Sequence, residues 1–402
     1  MSKYFRFIQG LRVGIIHIGA PAGGMNAATR IAARLCIARG HTPIAIRNGF
    51  SGLVKGEISP LDWAQLFGWQ TLGGSQLGCN RDHPKAPLGS PIDMHKGIDK
   101  LIELGQIAFA LQRYDINALL LIGGFEAYTS QLALTLSRDD YPAFCIPMAQ
   151  IPATVSNNVP GTDYSLGSDT ALNIIVQSCD VIKLSANASR KRVFVVEVQG
   201  GNCGYLATVG GLTVGASAIY IPEKGISLES LQNDVRHLKA RYEYEMEVGI
   251  PHEGRLILRS ENTRPEVYDT NTVSGILRAE GGGLFDSRTS VLGHLQQGGV
   301  PSPLDRIRAT NLSYKCINWL LGVCDGLRSY NNGDNMGMST FTKLSEHSCV
   351  VGIRGADMIL TPVIQLQEET DLKTRRSKTQ WWYGLGALNR TLAKRDIILE
   401  ES

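Results

Sequence analysis

The chain lacks any run approaching the roughly 20 apolar residues of a membrane span. Its start, MSKYFRFIQG, has neither the apolar core nor the small-residue cleavage site of a secretory signal. These absences argue against a membrane association and point to the cytosol, where the N-x-S/T sequons at Asn187, Asn311 and Asn389 carry no weight. Charge of one sign is lacking too. Forty Lys and Arg residues face 37 Asp and Glu, leaving a net charge of +3 and no basic stripe or tail, which excludes nucleic acid as an expected partner. There is no C-x-x-C pair. The eight cysteines (Cys36, Cys79, Cys145, Cys179, Cys203, Cys316, Cys324 and Cys349) are scattered, with no histidine at metal-ligand spacing, and are expected as reduced, mostly buried thiols. Low-complexity tracts and short-period repeats are also missing.

What remains is a globular chain of 402 residues, 43% hydrophobic, long enough for two cores and two or three domains. Apolar or β-branched runs alternate with helix-length amphipathic segments: RVGIIHI (12–18), NALLLIGG (117–124), AFCIPMAQIPA (143–153), RVFVVEVQG (192–200), GRLILRSE (254–261) and TSVLGHL (289–295). This is the α/β rhythm of parallel sheets with crossover helices. The strand ends run into glycine at Gly19, Gly123–Gly124, Gly200–Gly201 and Gly293, where ligands of open parallel sheets lie. NRDHPKAPLGSPIDM (80–94) and RSYNNGDNMGMSTFTKL (328–344) read as exposed loops.

The first strand delivers IGAPAGGMNAATR (18–30), a glycine-rich turn into a helix. Such a turn either holds an anion on its backbone amides or serves close packing. A second turn reads Gly123-Gly124-Phe125-Glu126-Ala127; Phe125 cannot ligate magnesium, and Glu126 is expected solvated or at a helix start, where an acid favours the dipole. The segment IPATVSNNVPGTDYSLGSDTALN (151–173) offers Thr154, Ser156 and Asn158 as hydroxyl and amide donors and acceptors, and neither the Ser156 hydroxyl nor the Asn158 amide accepts a proton at neutral pH. Arginines recur beside strands or glycine turns: Arg81, Arg192, Arg288 and Arg375. Singly each reads as a surface ion pair; together they suit two cationic clusters that grip phosphates bidentately.

These motifs resemble the 6-phosphofructokinase family, whose active members carry GGDAPGMNA, GGDGS and PGTIDND where this chain has Pro21 in GAPAGGMNA, Phe125 in GGFEA, and Ser156 and Asn158 in ATVSNNVPG. The forms GGFEAY and ATVSNNVPG are similar to the C-terminal, regulatory half of the double-length enzymes of animals and fungi, over essentially the whole chain to QWWYGLGALNRTLAK. The resemblance implies two Rossmann-like parallel-sheet subdomains facing across a cleft, a vestigial nucleotide-type one at 1–152 plus 295–318 and a sugar-phosphate-binding one at 153–294 plus 319–402. It implies fructose 2,6-bisphosphate, or a related sugar phosphate, as an allosteric ligand. The residues that inherit its binding are Arg81, Thr154, Val155, Ser156, Asn157, Asn158, Arg192, Gln199, Gly200, Gly201, Glu261, Arg288, His294, Leu295, Gln296, Gln297 and Arg375.

By the same resemblance Arg192 and Arg288 reach into the site of a neighbouring chain, and the partner is a homo-oligomer or a catalytic half. Magnesium and ATP are expected only on that catalytic half, with no catalytic or metal residue here. Two other readings stay open: an active kinase that has relocated its base to Asp163 or Asp169, and a structural partner with a vestigial pocket. Whether the chain is a fragment, a partial gene model or a stand-alone protein is open as well.

Overall fold

The computed structural model describes residues 10–87, 89–90, 92, 98–331 and 346–393. Part of the expected loop at 80–94 and most of that at 328–344 fall outside this range; residues 328–331 still belong to the helix Pro303–Asn331. Two compact units emerge: Met1–Thr154 with Asn158–Ser168 and Gln297–Thr379, and Val155–Asn157 with Asp169–Gln296 and Gln380–Ser402.

The first unit is built on a seven-stranded sheet in the order Asp357–Pro362, Ser348–Arg354, Met148–Pro152, Ala118–Gly123, Arg12–Ile18, Thr42–Ile46, Ile58–Pro60. Five inner strands run parallel, and the two outermost join antiparallel. The central strand ALLLIG is buried along its whole length, as expected for a parallel strand covered on both faces. Ile16, Ile44, Ile46, Leu119 and Leu121 form one core with Phe50 and Phe144; Phe125, Tyr128, Leu132, Val350 and Leu366 form another. At roughly 25 cal/mol per Å² of apolar surface removed from water, such cores supply the main favourable term in folding. The alanine-rich helix Met25–Ala38 packs on the helix Pro303–Asn331, where Ser313 Oγ donates to the Ala28 carbonyl at 3.0 Å.

The expected assignment of 319–402 to the second subdomain differs from this division over 319–379. The cause is strand pairing: Ser348–Arg354 extends the first sheet beside Met148–Pro152, and Asp357–Pro362 folds back on it. Thr42–Ile46 and Ser348–Pro362 were not legible as strands, the former because Pro43 interrupts a run of five residues.

The second unit holds four parallel strands in the order Asp286–Val291, Arg192–Val198, Arg255–Ser260, Ala218–Tyr220. Val193, Val195 and Ile257 pack against Leu231 and Leu238 of the helix Leu228–Glu247 and Val273 and Leu277 of the helix Thr270–Glu280. Both helices begin on side-chain caps. Ser227 and Ser230 form a reciprocal capping box, and Asp269 accepts from the Thr272 amide at 2.6 Å, each satisfying donors that a helix start leaves open.

Candidate functional site

In the first unit, the glycine-rich turn at 18–25 serves close packing. A Cβ on Gly24 would lie 2.9 Å from Leu166 Cδ1, and one on Gly167 2.6 Å from the Ala22 Cβ, so bare backbone is needed on both sides. Gly19 and Gly24 hold φ of 93° and 102°. The second turn is fixed by Gln150, a residue not singled out from sequence, whose Nε2 donates to the Gly123 and Gly124 carbonyls at 3.1 Å each.

Phe125 and Glu126 open the helix Phe125–Leu136. Phe125 is only 3% exposed and belongs to the core, offering no oxygen to a cation. Glu126 stands at the expected helix start but is not solvated: its side chain is 14% exposed, and Oε1 lies 2.6 Å from Arg375 Nη2 and 3.8 Å from Arg81 Nε. Its other oxygen covers the first glycine turn, 2.9 Å from where a Gly19 Cβ would stand. A carboxylate of the chain itself thus lies where two glycine turns would receive an anion. The Arg375 guanidinium also stacks 5.5 Å from the Phe125 ring centroid. Arg375 adopts a left-handed φ of 58°, uncommon for a side-chain-bearing residue, and its carbonyl accepts from Asn158 Nδ2 at 2.9 Å.

Arg81, Asn158 and Arg375 are therefore assembled in one place, joined by Glu126, which sequence motifs did not link to them. Asn158 Oδ1 is buried without a hydrogen-bond partner among the described residues. Thr154 lies against Gly124, and its amide donates to the Leu166 carbonyl at 2.9 Å. The two acids considered as relocated bases have other tasks. Asp163 Oδ2 accepts from the Gly355 amide at 2.8 Å, and Asp169 sits in the first turn of Ser168–Ser189 beside Asn173.

In the second unit, another group of predicted residues meets beyond the carboxyl ends of the strands. Glu261 Oε1 accepts from the amides of Gly201 at 2.8 Å and Gly200 at 3.2 Å, and a Cβ on Gly201 would lie 3.7 Å from Ser156 Oγ. Gly201 has a φ of 57°, natural only to glycine. Gln296 is fully buried and acts as a bracket: its Oε1 accepts from the Gln199 amide at 3.3 Å, and its Nε2 donates to the Gly293 carbonyl at 3.0 Å. His294 and Leu295 stand exposed on the same turn, Gly293–Gln296. Val155 and Asn157 are buried, and Asn157 takes a left-handed φ of 53°. Gln199 Oε1 and Ser260 Oγ are buried polar atoms without a hydrogen-bond partner among the described residues. Gln297 falls in the first unit.

Arg259, missed from sequence because it lies inside a strand, organises this end of the sheet. Its buried guanidinium pairs with Glu197 at 2.9 Å and donates to the carbonyls of Glu261, Thr263 and Tyr268. Burial lowers its pKa, and Glu197 opposes that shift.

Arg192 and Arg288 do not join this group. Arg192 begins its strand and pairs in register with Asp286, so both arginines lie near the amino ends, roughly 20 Å along the strand from Glu261 and Gly200. Arg288 bonds Asp286 at 3.0 Å.

A family model described as Phosphofructokinase matches residues 12–320. The chain is 42% identical over 386 residues to the ATP-dependent 6-phosphofructokinase subunit beta of Komagataella phaffii, covering 96% of this chain and 39% of that protein. It is 43% identical over 383 residues to the platelet-type ATP-dependent 6-phosphofructokinase of Rattus norvegicus, covering 95% and 44%. The phosphofructokinase structure from Saccharomyces cerevisiae superposes with a TM-score of 0.83 at 38% identity, over 98% of this chain and 48% of that one. The T-state structure from Pichia pastoris gives 0.84 at 41%, over 96% and 41%. The chain thus spans less than half the length of these relatives, and it belongs to the phosphofructokinase family.

Proposed function

We propose that this chain is the regulatory half of a 6-phosphofructokinase, the glycolytic enzyme that phosphorylates fructose 6-phosphate with ATP, and that it binds fructose 2,6-bisphosphate as an activator without transferring phosphate itself. The observation that carries this reading is the Glu126 carboxylate bound to Arg375 and Arg81 over the glycine turn. With Phe125 in the core and Ser156 and Asn158 in place of the family's acids, these residues do not fit a magnesium nucleotide, and no general base is at hand. Magnesium and ATP belong on a catalytic half.

Polar groups suited to a sugar remain. In the second unit, Gln199 Oε1 and Ser260 Oγ are buried polar atoms with no hydrogen-bond partner among the described residues, a costly arrangement that supports a polar ligand at this end of the sheet. The arginines supply cationic groups for the phosphates, and the exposed His294 supplies a hydrogen-bonding ring nitrogen. The position of Arg192 and Arg288 at the amino ends of their strands favours their serving the site of a neighbouring copy. Binding would then favour one arrangement of subunits, coupling by about 1–3 kcal/mol to sugar affinity on the catalytic half.

Calorimetric titration with fructose 2,6-bisphosphate tests this. Saturable binding that is lost in His294→Ala and Arg288→Ala is expected. A folded protein that gives no heat at millimolar ligand would overturn the proposal and leave a structural partner with a vestigial pocket.

A further inference from the structure

The segment IPEKGIS, residues 221–227, follows the strand Ala218–Tyr220 and leads into the helix Leu228–Glu247. A cavity of about 570 Å³ opens there, within the second unit, and none of the residues assigned above to the sugar bisphosphate lines it. Its lining includes the apolar Ile219, Ile221 and Ile226, the acids Glu223 and Asp234, and the cations Lys224, Arg264 and Arg390, the last from the helix Leu385–Leu392. Among the described residues none of these three cations forms an ion pair with a carboxylate.

The two acids at hand are otherwise engaged. Glu223 accepts from the Gly204 amide at 3.0 and 3.1 Å, and Asp234 accepts from the Tyr220 hydroxyl. Lys224 lies 5.0 Å from the Tyr383 ring centroid, and Arg264 Nη1 donates to the Ile226 carbonyl at 3.2 Å, which holds that guanidinium at the turn. Burial first, and the charge of Arg390 second, lower the Lys224 pKa. Thr208 also lines the cavity: it is 1% exposed, and its hydroxyl has no hydrogen-bond partner among the described residues. Converging cations and an orphaned buried hydroxyl are both relieved by one kind of occupant, an anion with hydrogen-bonding oxygens.

We propose that this cavity is a second ligand site, taking a phosphorylated small metabolite whose phosphate rests on Lys224, Arg264 and Arg390 and whose less polar part lies against Ile219, Ile221 and Ile226. Its volume falls within the range of roughly 300–1,000 Å³ usual for small-molecule sites and exceeds what a lone phosphate fills. The chemistry fits a sugar phosphate or a nucleotide, and the experiment separates them. The full chain, saturated with fructose 2,6-bisphosphate, is titrated calorimetrically with ribose 5-phosphate and with a nucleoside 5′-monophosphate.

Binding of either probe is expected, weakened about tenfold or more in Lys224→Ala and in Arg390→Ala but unchanged in Lys85→Ala, an exposed cation of the first unit. The tighter probe identifies the ligand's source. Lys224 is exposed, so its substitution leaves the fold intact, as near-ultraviolet circular dichroism would verify. No binding of either probe at millimolar concentration, or binding that Lys224→Ala and Arg390→Ala leave unaltered, overturns the proposal. Because Lys224 and Arg390 lie outside the residues assigned to fructose 2,6-bisphosphate, their variants read this cavity alone.

Discussion

Arg375 and Glu126, 249 residues apart in sequence, meet at 2.6 Å through Nη2 and Oε1. Glu126 thereby plays the part of an internal anion toward two arginines that the sequence assigns to a phosphate. If it competes with the ligand, Glu126→Gln tightens fructose 2,6-bisphosphate binding several-fold while lowering stability by about 1–3 kcal/mol, because a half-paired guanidinium is left largely buried. Titration calorimetry and urea unfolding of the same variant read the two effects. An affinity that falls together with stability would mean that Glu126 orients the arginines for the ligand and does not oppose it.

A second ionic cluster is purely structural. Arg255, 6% exposed, stacks 4.1 Å from the Tyr242 ring centroid and pairs with Glu245, which also meets His252 Nδ1 at 3.2 Å. Glu245→Gln leaves a buried cation without its partner and is expected to cost about 3–5 kcal/mol in urea unfolding, whereas Glu245→Leu combined with Arg255→Met recovers most of that loss. Failure of the double variant to recover stability would show that the hydrogen bonds and ring contact, not the unpaired charge, carry the cost.

Acid should destabilise the first unit through two buried histidines. His17 is held between Ser75 Oγ and Thr29 Oγ1, each at 2.7 Å, and burial pushes its pKa down to about 3. His83 is pushed down to about 4, again by burial, against the opposing effect of the Pro84 carbonyl. The unfolded chain takes up these protons near pH 6.5 and the folded chain does not. Stability is therefore complete above that pH and is lost as pH falls toward 4, by roughly 2 kcal/mol for each histidine on reaching about pH 5. Urea midpoints measured from pH 7 downward should show the decline. His83→Gln should remove about half of the slope assigned to the pair.

Thiol chemistry should separate the cysteines by depth. All eight are free; Cys79 and Cys145 are partly exposed and the other six are buried. Burial pushes the thiols of Cys36, Cys179 and Cys349 up to about 12, so little thiolate exists at neutral pH. Brief alkylation of the native chain, followed by mass spectrometry, should mark Cys79 and Cys145 alone, and all eight in denaturant. Early labelling of Cys36 or Cys316 would mean that the helices Met25–Ala38 and Pro303–Asn331 separate readily in solution.

Much of this was legible in the sequence where a local rule sufficed. The run at 118–123 is apolar throughout because both faces of its strand are covered, and Gln199-Gly200-Gly201 and Glu261 lie where strands end. Ala218–Tyr220 went unnoticed because three residues give no periodicity, and Arg259 because a charged residue within a strand reads as exposed until its neighbours are known. Gln296 was named as a ligand residue by motif, yet it is an internal bracket, since the partner that buries it, Gln199, is 97 positions away.

The sequence by itself determined the α/β class, because that depends on local spacing, and set beside the family it resembles it placed Ser156, Asn158 and Phe125 where acids are expected. Tertiary structure alone decided that Glu126 closes over Gly19 and holds Arg81 and Arg375, that Ser348–Pro362 completes the first sheet, and that Lys224, Arg264 and Arg390 converge on one cavity. A charge acquires its role from what surrounds it at a few ångströms, and chain folding brings those groups together from positions that sequence spacing does not connect.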